Sequence, residues 1–77
     1  MNNKIIKILN NLRPEFDFTQ NVNFIEEGML DSFDVVSLVS ELEEKMDVII
    51  DGEDILPENF SSIESIEALI NKSRNNS

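Results

Sequence analysis

The sequence predicts a small all-α protein, a four-helix bundle of three main helices plus one short helix, with a long ordered loop between helices one and two. Three observations predict it. Apolar residues recur at three- and four-residue spacing in three separate stretches, no stretch alternates apolar with polar as a half-buried strand would, and 77 residues suffice for one small core only. With 40% apolar and 29% charged residues, the composition is that of a chain that folds rather than of a disordered acidic tail.

The first helix rests on Ile5, Ile8, Leu9 and Leu12, with Asn2 or Asn3 as its cap. It is expected to end near Leu12 or Arg13, because Pro14 disfavours helix at the residue before it. Residues 14–30 hold no helical or strand period, yet Phe16, Phe18, Val22, Phe24 and Ile25 are too apolar for a free linker. A loop that long in so small a domain tends to be functional, and its phenylalanines are expected to pin it to the core. Gly28 marks a turn and Asp31 a cap, after which Val35, Leu38, Val39, Leu42 and Met46 draw the clearest helical stripe in the chain. Val48, Ile49 and Ile50 read as an extended connector, and residues 51–56 as the short helix, one turn ahead of Pro57. Ser61 with Glu64 fits a capping box for the last helix, whose face is Ile63, Ile66, Leu69 and Ile70 and which is expected to run to about Lys72. The chain is thus read as one domain over residues 1–72 with a polar, disordered tail over 73–77.

Six bases oppose sixteen acids, for a net charge of −10, and the imbalance is local. Residues 26–54 carry eleven acids against Lys45 alone, while the acids and bases outside that segment cancel. Nucleic acid and anionic membrane surfaces would be repelled by this segment; a basic protein surface is its complement. With neither cysteine nor histidine, the chain has no thiol chemistry, no imidazole acid or base, no Ser-His-Asp triad and no ordinary zinc ligation, so its chemistry must be borrowed. No metal site is expected. Asp47, Asp51, Gly52 and Glu58 match positions of a calcium-binding loop, but Ile49 and Pro57 leave the oxygen cage incomplete. The longest strictly apolar run is Val48, Ile49, Ile50, far short of a membrane span, and residues 1–10 lack a secretory apolar stretch; the protein is read as a complete, monomeric, cytoplasmic chain.

One residue breaks the pattern of the second helix. At about 100° per residue, the stripe from Val35 to Met46 lies within about 60° of Val35, whereas Phe33 falls about 160° away. Phe33 is therefore either folded under the preceding loop or left out for a partner. Ser32 sits beside it at the mouth of the helix, where unpaired amides and the helix dipole favour negative charge, so a phosphate carried there would be well placed. Position alone does not single it out among eight serines.

The stretch Gly28, Met29, Leu30, Asp31, Ser32, Phe33, preceded by the acidic pair Glu26 and Glu27, resembles the Gly-x-[Asx]-Ser-[Leu/Phe] attachment motif of the acyl and peptidyl carrier proteins. The similarity continues through Glu43, Glu44, Met46 and Asp47 to Pro57-Glu58-Asn59-Phe60 and Ser61-Ser62-Ile63, so it covers nearly the whole chain. It implies that a phosphopantetheinyl transferase, supplying base and metal, converts Ser32 to its 4′-phosphopantetheine ester with coenzyme A. The arm then holds acyl or aminoacyl groups as thioesters, without catalytic residues in the chain itself, for fatty acid, polyketide or nonribosomal peptide biosynthesis.

The resemblance also assigns Asp31, Phe33, Asp34, Val36, Ser37, Ser40, Glu43 and Glu44 to docking on a loading ligase and on acyl-transfer enzymes with basic patches. By helical angle, Phe33, Val36, Ser37, Ser40, Glu43 and Glu44 lie about 80° to 200° from the core direction. Ser37 and Ser40 stand where fatty-acid carriers commonly have a carboxylate and a bulky apolar residue, which points to a different partner set. The Asp-Ser-Phe form with its acidic pair is also similar to the D-alanyl carrier branch, from which Asp34 in place of a glycine and the absence of tryptophan depart. An unmodified acidic adaptor for a basic protein would use the same field and the same Phe33 without needing Ser32.

Overall fold

A computed structural model describes residues 2–75. Among them are three α-helices, α1 (Asn2–Leu12), α2 (Ser32–Met46) and α3 (Ile63–Asn75), two 3₁₀ turns, and no strand. The all-α class is as expected, and the short turn expected over residues 51–56 is present as a 3₁₀ turn, but a second one that the sequence did not suggest follows it. Gly52–Asp54 and Pro57–Phe60 form separate 3₁₀ turns. Asp51 accepts the Glu53 amide to open the first, and Pro57, which has no amide hydrogen, opens the second. The apolar faces read from periodicity meet in one core. α1 packs on both α2 and α3, with Ile5, Leu9, Leu38, Leu42, Ile66 and Ile70 fully buried between them. Among the described residues no helix is long and apolar enough to cross a membrane.

The segment between α1 and α2 is ordered by turns rather than by a period. Phe18 and Phe24 are buried and meet edge to face at 5.0 Å between ring centroids. The Asn23 side-chain oxygen accepts the amides of Ile25 and Glu26, each at 3.0 Å, and the Phe24 carbonyl accepts those of Met29 (2.9 Å) and Leu30 (3.2 Å). The Phe24 amide donates to the Ser61 carbonyl at 2.8 Å, tying the loop to the start of α3. Gly28 lies at φ +73°, where an L side chain is strained, and this turn aims the chain into α2.

α2 ends at Asp47 in the left-handed region (φ 54°, ψ 53°), which aspartate tolerates better than most residues. The connector then alternates as an extended segment should: Val48 and Ile50 are buried, and Ile49 is 82% exposed. The start and end of α3 differ from expectation. Its cap is Ser62, whose hydroxyl accepts the Ser65 amide at 3.1 Å, whereas Ser61 donates to the Glu58 carbonyl and closes the preceding turn. Its last turn runs past Lys72, so residues 73–75 are helical and not tail; residues 76 and 77 lie outside the described residues. Packing explains the extension. Ser73 continues the buried face of Leu69 and Ile70, Lys72 pairs with Asp54 at 2.8 Å, and Arg74 donates to the Met46 carbonyl at 3.4 Å.

Candidate functional site

The opening of α2 is set by two aspartates that cap each other. Asp31, in extended backbone (φ −112°, ψ −176°), accepts the Asp34 amide at 2.9 Å, and the Asp34 carboxylate accepts the Asp31 amide at 3.1 Å. Ser32 lies between them as the first helical residue and is exposed. Its own amide and that of Phe33 have no acceptor among the described residues, so the hydroxyl stands beside two unpaired N–H groups at the positive end of the helix dipole. A phosphate ester on the Ser32 Oγ fits this geometry: it would project into solvent from a backbone that is already fixed.

Asp34 is a correction. It was expected on the docking face, but it is 6% exposed and its Oδ2 receives both Nε (2.9 Å) and Nη2 (2.8 Å) of Arg13. Helical angle places Asp34 off the apolar stripe, yet the arginine supplies the charge that lets it go inside. Burial pushes its carboxyl up; the hydrogen bonds from Arg13 and from the Asp31 amide, with the guanidinium charge, outweigh that and hold it below its ordinary value. The Arg13 guanidinium is raised in turn, by its hydrogen bonds to Asp34 and then to Glu15. Arg13 was not singled out by the sequence. It stands 21 residues from Asp34, and no spacing rule connects the end of one helix to the start of the next.

The remaining residues assigned to docking separate into free and engaged groups. Phe33 is 79% and Val36 64% exposed, one turn apart, and Ser40 and Glu44 continue the same open face. Ser37 is half-buried at its margin. Asp31 is exposed, but one of its oxygens is engaged as the cap. Glu43 is half-buried and accepts the Ile50 amide at 3.0 Å, so it holds the connector against α2 as well as carrying charge. A groove of about 530 Å³ lies toward the other end of α2, lined by Ser40, Glu44, Ile49 and Ser73 among others. Its lining on α2 begins at Ser40, about 12 Å of helix from Ser32. Ser32 lines none of the grooves described and is exposed.

A family model described as the phosphopantetheine attachment site matches residues 4–70, from α1 into α3, with Ser32 inside the match. No curated protein and no solved structure matches the chain.

Proposed function

The chain belongs to the phosphopantetheine-attachment family, carriers whose cofactor is covalently held 4′-phosphopantetheine, and we propose that Ser32 holds it and that acyl or aminoacyl groups ride on it between partner enzymes. The observation that carries this is the exposed Ser32 hydroxyl at the opening of α2, inside the motif Gly28 to Phe33 and beside two unpaired amides. In the modification step the Ser32 Oγ bonds to the pantetheine-side phosphorus of coenzyme A and a P–O bond of the pyrophosphate breaks. Adenosine bisphosphate leaves with that oxygen, and the serine proton passes to a base on the transferase, because this chain has no histidine. The arm, once attached, supplies the thiol that forms the thioester, which a chain without cysteine cannot supply itself.

The exposed pair Phe33 and Val36, with Ser40 and Glu44 beyond them, is the surface proposed to meet the transferase, the loading ligase and the acyl-transfer enzymes. An apolar anchor next to carboxylates suits a partner with an apolar pocket rimmed by lysine or arginine. The test is intact-mass measurement after incubation with a broad-specificity phosphopantetheinyl transferase and coenzyme A. One arm is gained by the wild type and none by Ser32→Ala. Failure of the wild type to load while a control carrier loads would favour an unmodified acidic adaptor.

A further inference from the structure

We propose that Arg13 is a positioning residue for modification of Ser32, an inference that rests on Ser32 being the attachment point. Arg13 follows α1, far in sequence from Ser32, yet its guanidinium reaches three carboxylates around the opening of α2: Asp34 at 2.8 Å, Glu15 at 3.2 Å and Asp31 at 3.6 Å. No other cation among the described residues lies within ion-pair distance of these three. Two consequences bear on the hydroxyl. First, the Asp34 oxygen gripped by Arg13 is the one that accepts the Asp31 amide, so the arginine fixes the carboxylate that fixes the Leu30–Asp31 peptide, one residue ahead of Ser32. The backbone that presents the nucleophile is thereby held by the residue that follows α1. Second, Asp31 and Asp34 flank the serine with negative charge that would oppose an incoming pyrophosphate, and Arg13 is the countercharge placed against both. Its side chain is still about one-third exposed, so this positive charge is felt from solvent at the site.

The test is steady-state loading by a phosphopantetheinyl transferase with coenzyme A, at a temperature where circular dichroism shows each variant folded. Arg13→Gln, which removes the charge and the fork, is expected to lower kcat about tenfold with the carrier KM within twofold, as loss of alignment rather than of docking should. Arg13→Lys, which keeps the charge and loses the fork, is expected to recover part of the rate. Lys7→Gln, on α1 away from the site, is expected to load as the wild type does. A folded Arg13→Gln with wild-type kcat overturns the proposal. Should that variant not fold, Arg13→Lys decides, a kcat lowered threefold or more supporting the proposal and an unchanged one overturning it. Wild type that does not load, or Ser32→Ala that does, overturns the Ser32 reading itself and this inference with it.

Discussion

Asp34 is one carboxylate serving two structural ends, accepting the Asp31 amide to close the capping box and receiving the Arg13 fork to bind α1 to α2. Because its folded pKa lies below the unfolded value of about 3.9, its contribution to stability is fully present above that value. The contribution is lost as pH falls through the lower, folded pKa. Urea unfolding should therefore show a stability drop between about pH 5 and pH 2, and Asp34→Asn should flatten part of it while costing about 1 to 2 kcal/mol at pH 7. Equal acid slopes in the two proteins would remove the carboxylate from this account. That Ser32 opens α2 was legible in the sequence because a helix start is local, and the angle set Phe33 apart from the apolar stripe, but only the structure, where Phe33 is 79% exposed, decides between its two alternatives. Asp34 was misplaced because its docking role was carried over from its place in the family's motif, whereas a charged residue enters the interior when a partner waits there, here one 21 residues away.

At the scale of elements, the caps show what periodicity leaves open. Two adjacent serines precede α3, and only the acceptor role of Ser62 toward the Ser65 amide distinguishes the cap from Ser61, which serves the turn before it. Ser62→Ala should lower stability by about 1 kcal/mol, a fall of about 4 to 8 °C in Tm for a chain this size, and Ser61→Ala should cost clearly less. A larger loss in Ser61→Ala would return the cap to the earlier position. On α2, Glu43 and Glu44 looked equivalent in sequence, but Glu43 also holds the Ile50 amide. Glu44→Lys is thus the clean probe of docking: it should slow transferase loading severalfold without lowering Tm, with the difference in loading shrinking in salt. Glu43→Lys should lower Tm as well. All three helices were visible as 3.6-residue stripes, since their packing faces are continuous. The loop's order could be read from its phenylalanines, but its path and the end of α3 could not, because turns, carbonyl ties and ion pairs to distant elements determine them.

Seen as a whole, the molecule is a small core carrying a concentrated excess of negative charge, and three of its six bases serve as staples. Arg13 joins the end of α1 to α2, Lys72 joins α3 to the first 3₁₀ turn, and Arg74 joins α3 to the end of α2. Most of the central acids are left over: Glu26, Glu27, Glu44, Asp47, Asp51 and Glu53 have no cation within ion-pair distance among the described residues. Folding brings these charges together, and each pair at 10 Å repels by about 0.4 kcal/mol even in bulk water. Many such pairs act against a total stability of about 4 to 12 kcal/mol at this length. Salt acts on both sides of this balance. It weakens the few exposed attractions, which are individually small, and it screens the repulsions, which are numerous and spread beyond the Debye length of about 8 Å at physiological strength. The repulsive sum is the larger, so Tm should rise by several degrees between 20 and 500 mM sodium chloride. Millimolar magnesium should do the same at far lower ionic strength by condensing on the acidic segment, without the stoichiometric saturation of a dedicated site. A Tm that falls with salt would mean that the staples, and not the leftover acids, dominate the electrostatics of the fold.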